Sequence, residues 1–193
     1  MKISKSIIYS IVIIALMQTF SSCEEEYFPK PKGYFRIDLP KKEYTKFEEN
    51  YPYSFNYPKY ALIYKFQEDS FWVNIYYPKL RATIYLTYKH IASNNLSNYT
   101  EQTRTFAFKH SLKADAIGET PFVKVEKNVY GLLYDIKGNT ASSINFYLTD
   151  STKNFVSGAL YFNTKPNKDS LAPVINFIKQ DIVELFESFE WKK

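Results

Sequence analysis

Leu171, Val174, Ile175, Ile178, Ile182, Leu185, Phe186 and Phe189 fall on a single stripe at 3.6-residue spacing near the C-terminus. So wide an apolar face cannot remain in water, so the stripe predicts a terminal helix that must cover a sheet. Asp169 or Ser170 can cap its start. Pro173 would then fall in the first turn, where a missing N–H is tolerated.

The sheet is written in the preceding chain. Phe71, Val73, Ile75 and Tyr77 alternate with Trp72, Asn74 and Tyr76, the period of a strand. Ala82, Ile84, Leu86 and Tyr88 repeat that period. The segments Tyr60–Phe66 and Phe71–Tyr77 flank Gln67-Glu68-Asp69-Ser70 and read as a hairpin. The stretch Asn95–Ala114 places Leu96, Tyr99, Thr103, Phe106 and His110 at helical intervals and predicts a second helix. Further strands are expected at Phe122–Glu126, Tyr130–Ile136, Ser143–Thr149 and Phe155–Phe162. The turn residues Lys137-Gly138-Asn139 and Asp150-Ser151-Thr152-Lys153 join them into an antiparallel meander. The fold class is therefore α+β, an antiparallel β-sheet covered by two helices. Its element order is similar to the Mog1/PsbP-like α/β/α sandwich.

Lys2 and Lys5 precede an apolar run, Ile7 to Phe20, that ends in Ser21-Ser22-Cys23. This is the charge order and length of a signal peptide, with the small residues a lipoprotein signal peptidase requires before its cysteine. Phe20 stands where Leu is usual. A transmembrane anchor is the competing reading, but the run falls short of the roughly 20 residues a span needs. The expected organisation is a signal peptide over 1–22, a lipidated, Pro-rich tether over 23–33 and a single α+β domain over 34–193. Cys23 is the only cysteine, so the domain has no disulfide and relies on its core. Glu24, Glu25 and Glu26 are either a lipoprotein sorting signal or a solvated spacer. The lipid places the domain in the cell envelope, facing the periplasm, and leaves inner membrane, outer membrane and surface exposure open. Loss of Lys2 and Lys5 with the signal peptide lowers the formal charge from +5 to +3. So slight an excess, on an exported chain, argues against nucleic acid.

Catalytic patterns are sparse. His90 and His110 lack partners at metal-ligand spacing, so neither a metal nor a cofactor is expected. The HExxH, CxxC, P-loop, GxGxxG and GxSxG motifs are absent. A triad of His110, Asp135 and Ser142 or Ser143 can be written down, as it can for most chains of this length. Asp135, Asn139 and Ser142 gather around a tight turn between apolar strands. They form either a polar recognition patch or the internal bonding of a hairpin. The aromatic strands, Trp72 among them, offer a sugar-stacking face as well as a core.

Several long runs of the chain are distinctive: Pro29-Lys-Pro-Lys-Gly-Tyr-Phe-Arg-Ile-Asp-Leu-Pro40, Tyr51-Pro-Tyr-Ser-Phe-Asn-Tyr-Pro58, and Lys109-His110 with Lys113-Ala-Asp-Ala-Ile117. Others are Val129-Tyr-Gly-Leu-Leu-Tyr-Asp-Ile-Lys-Gly-Asn139, Phe146-Tyr-Leu-Thr-Asp-Ser-Thr152, Gly158-Ala-Leu-Tyr-Phe-Asn163 and Pro166-Asn-Lys-Asp-Ser-Leu-Ala-Pro-Val-Ile175. Through these runs the chain resembles the gliding-motility lipoprotein family GldD of the Bacteroidota. The resemblance implies a lipoprotein of the gliding machinery and the associated type IX secretion apparatus. Its partners would be the membrane, through a palmitate-bearing lipid, and other gliding-machinery proteins. The family supplies no catalytic residue, and its lipidated cysteine maps to Cys23. Asp150-Ser-Thr152 and Asp169-Ser-Leu171 also match the short O-glycosylation pattern of exported proteins in that phylum, with Ser151 and Ser170 as acceptors. The leading expectation is a membrane-anchored, non-enzymatic accessory component. The alternative is a lipoprotein that binds or acts on envelope polysaccharide.

Overall fold

Alternating side chains along the strands sort onto two faces of one large sheet, and each face acquires a helix. The computed structural model describes residues 37–66, 70–92, 95–109 and 114–192. The expected signal peptide, Cys23, the whole tether and His110 lie outside them. The described residues belong to one compact unit, Tyr34–Lys193.

The chain enters through β1 (Tyr44–Phe47) and β2 (Tyr53–Pro58), an antiparallel pair. It continues through β3 (Leu62–Lys65), β4 (Val73–Tyr77) and β5 (Ala82–His90). Helix α1 (Leu96–Lys109) then crosses to β6 (Ala114–Lys124) at the far edge. The chain meanders back through β7 (Val129–Gly138), β8 (Ser142–Thr149) and β9 (Asn154–Phe162), which pairs with β5. Helix α2 (Lys168–Ser188) follows, and β10 (Glu190–Trp191) joins β2. The large sheet has the order β3-β4-β5-β9-β8-β7-β6 and is antiparallel throughout; β1-β2-β10 form a second, small sheet. The class is α+β, with helices packed on a large antiparallel sheet, as the patterning predicts.

One face carries Val73, Ile75, Ile84, Leu86, Leu133, Ile144, Phe146 and Leu160. It forms the main core with Val174, Ile178, Ile182, Leu185 and Phe186 of α2 and with Phe47, Tyr53 and Phe55 of the small sheet. Gly158 of β9 is required here: a Cβ would sit 2.0 Å from the Phe146 ring, which itself packs edge-on against Phe186 at 5.0 Å. On the opposite face, Ala107 of α1 meets Tyr134 and Ile136 in a smaller cluster.

Three boundaries differ from expectation, each for a local reason. First, α1 ends at Lys109, and Ala114 already pairs with Gly138, so β6 runs well upstream of Phe122. Second, α2 starts at Lys168 and is capped by Asn167, whose Oδ1 accepts the Ser170 N–H at 3.1 Å, rather than by Asp169 or Ser170. Pro173 therefore lies in the second turn, where it forgoes one intrahelical hydrogen bond. Third, Phe189 is not helical. It caps α2 with extended backbone, turns the chain into β10, and stays fully buried against Tyr53 and Phe55.

Candidate functional site

Asp135 and Asn139 hold α2 in place. The Asp135 carboxylate takes a hydrogen bond from Lys179 Nζ at 2.6 Å, and Asn139 Oδ1 accepts the backbone N–H of Lys168 at 2.9 Å. Lys168 Nζ reaches Asp115 at 2.6 Å. Asp115, Asp135 and Lys168 line an open cavity at the start of α2. Ser142 is fully buried and donates to the Ile144 carbonyl at 3.2 Å, while Ser143 is buried beside it. The surface at this turn therefore narrows to Asp135 and Asn139. His90 is exposed at the end of β5.

Ser151 is exposed at the tip of the β8–β9 turn, with φ of 66°. Asp150 shapes this turn by accepting backbone N–H groups from Thr152, Lys153 and Asn154. Burial pushes the Asp150 carboxyl up, but those donors outweigh it and hold the group below its ordinary value. Ser170 is exposed in the first turn of α2.

A buried polar cluster sits where the N-terminal segment meets α2. Asp181 is 2% exposed, within the stripe that otherwise packs the core. Its carboxylate accepts hydrogen bonds from Lys42 Nζ at 2.5 Å, Tyr44 Oη at 2.9 Å and Tyr60 Oη at 2.8 and 2.9 Å. Lys42 also donates to the Phe177 carbonyl at 2.6 Å and lies 3.5 Å from the centre of its ring. The buried carboxylate is thus paired and hydrogen-bonded, and the segment before β1 is latched to α2. The one signal for it in the sequence is an aspartate on the apolar side of the helix, one turn after Ile178.

Desolvation, and then the Asp181 carboxylate, raise Tyr44 and Tyr60 well above the ordinary phenol value. Desolvation does the same to Tyr53 and Tyr77. Above about pH 10 the unfolded chain loses phenolic protons that the folded chain keeps, so stability falls as pH rises. The melting temperature is expected to drop steadily from pH 9 to pH 11, with tyrosinate absorbance from these residues appearing only on unfolding. A flat profile across that range would refute the coupling.

The second face of the large sheet is only partly covered. Helix α1 packs on β8 and β9 and leaves the β4–β5 side open. There Trp72, Tyr85 and Tyr161 present exposed rings, with Phe106 of α1 opposite. They enclose a groove of about 390 Å³ whose polar lining is Thr87, Lys89, Gln102, Thr103, Asn145 and Ser157. Lys89 donates to Gln102 Oε1 at 2.6 Å, and burial lowers its ammonium pKa. Sequence periodicity shows which residues share this face, but not that α1 stops short of covering it.

Among the described residues no group of three or more His, Cys, Asp or Glu side chains could hold a metal ion. No helix among them is long and apolar enough to cross a membrane. A family model described as "Gliding motility lipoprotein GldD" matches residues 24–191. No curated protein matches the chain.

Proposed function

We propose a function on one premise: the chain belongs to the gliding motility lipoprotein GldD family. That family implies a role in gliding motility and association with the cell envelope. Within that role, the protein is a non-enzymatic accessory component of the gliding and type IX secretion machinery. It is anchored by a lipid on Cys23 and faces the periplasm. The observation that carries this reading is the family match, which spans nearly all of the chain after Cys23.

The design suits binding. The most deeply placed carboxylate, Asp181, already has three side-chain donors, and Asp135 and Asn139 are engaged with α2. None is poised as a free acid or base beside a nucleophile. A lipid at one end and a Pro-rich tether would confine the domain to a layer near the membrane. Confinement raises the effective concentration of a partner in the same layer, so a modest interface suffices. The Asp135–Asn139 turn is the first surface to test for that interface, and the exposed Ser151 turn is the favoured site of O-glycosylation over Ser170.

The anchor is tested by Cys23→Ser expressed in the native host. The expected result is an uncleaved, unacylated chain by intact mass, with gliding lost although the domain is folded. A wild-type mature chain without lipid would overturn the anchored reading.

A further inference from the structure

Asn145 is 5% exposed, and its Nδ2 has no hydrogen-bond partner among the described residues. It lies on β8, opposite Ala159 of β9, and lines the groove between α1 and the open half of the large sheet. An unmatched buried amide donor is costly, and the cost is recovered when a ligand oxygen occupies the space before it. The walls are aromatic. Tyr85 and Tyr161 pack edge-to-face at 5.7 Å. Trp72 is fixed by its indole N–H, which donates to the Tyr88 carbonyl at 3.2 Å. The aromatic surface continues outward through Phe66, which lies 6.3 Å from Trp72.

We propose that this groove binds a pyranoside unit of an envelope glycan, with the sugar's C–H face against Trp72 and Tyr85 and a ring or hydroxyl oxygen on the Asn145 amide. Aromatic faces carry negative charge density and attract the weakly positive C–H groups of a sugar ring, while the hydroxyls keep polar partners. The groove volume lies within the range of about 300–1,000 Å³ of small-molecule sites.

Competing ligand classes fit less well. A lipid chain would leave Asn145 unpaired and would also bury the half-buried Ser157 and Thr87. A nucleic acid strand requires a basic track, and Lys89 is the one cation in the lining. A peptide adding as a strand requires a sheet edge, whereas the groove lies on the face of β5, β9 and β8, which are inner strands. With no carboxylate in the lining, the site holds a sugar without hydrolysing it.

The test is calorimetric titration of the full lipidated chain, held in a detergent without a sugar headgroup. The probes are cellotriose, chitotriose and tri-galacturonate, with decanoate as the lipid arm. At least one trisaccharide is expected to bind at millimolar concentration or tighter, with affinity reduced about tenfold in Tyr85→Ala. Asn145→Leu is expected to lose binding while melting no lower than wild type, because it removes an unpaired polar group. Should Asn145→Leu fail to fold, Tyr85→Ala, on an exposed ring, decides alone. Binding of none of the trisaccharides, unchanged binding in a folded variant, or binding of decanoate alone would each overturn the proposal.

Discussion

Ile178→Asp is expected to lower the melting temperature of the domain sharply. Ile178 is fully buried in the main core, on the α2 face that lies against the large sheet. A carboxylate there is either ionised without a partner or forced to remain protonated, and both are unfavourable. Lys42, which reaches this helix from the segment before β1, is already engaged with Asp181 one turn away. The loss should be about 3 kcal/mol or more, a large part of a stability of roughly 5–15 kcal/mol. Ile182→Asp, at an equally buried position, should do the same. Val183→Asp on the exposed side of α2 is the control, expected to stay within about 0.5 kcal/mol of wild type. Circular dichroism melts distinguish the cases, and a wild-type melt for Ile178→Asp would refute the assigned helix face.

The second large effect is expected at the latch. Asp181→Leu would strand the Lys42 ammonium and the Tyr44 and Tyr60 hydroxyls, which all donate to that carboxylate. Removing one member of a buried ion pair costs about 3–5 kcal/mol when the other is left without water. The Lys42 side chain is 24% exposed and recovers some hydration, so a loss of about 2–3 kcal/mol is expected. Lys42→Met added to Asp181→Leu should restore part of it, because the stranded charge is then gone. Denaturant titration of the single and double variants measures this. A double variant weaker than Asp181→Leu by the full cost of Lys42→Met would mean the two residues are not coupled.

The contrast between α2 and the latch shows what the chain makes legible. Ile178, Ile182 and Leu185 repeat within one helix, so their shared face is a local property that periodicity reveals. Asp181 and Lys42 are 139 residues apart, and no local pattern pairs them. Periodicity reveals β6 only from Phe122, because its upstream half, through Gly118, Glu119 and Thr120, is an edge strand without an alternating apolar face. The small sheet escaped for a related reason. Strand β2 starts after Pro52 and ends on Pro58, and β10 is two residues long, so both depend on the pairing of Trp191 with Tyr53 and on Phe189 packed against Tyr53 and Phe55. At the Asp135 turn the residue types were legible but their direction was not. Asp135 and Asn139 turn toward α2, and Ser142 turns inward. The aromatic groove was visible only as alternation of Trp72 and Tyr85 with core residues. Its openness follows from the path of α1 across the sheet.

The GldD family implies a role in gliding motility, and the proposed role makes the chain necessary for movement. The most direct measurement is single-cell gliding of a clean deletion strain of the native host, scored beside the same strain carrying the wild-type chain. The deletion strain is expected not to glide, and the wild-type chain is expected to restore movement. A deletion strain that glides at wild-type speed would contradict it.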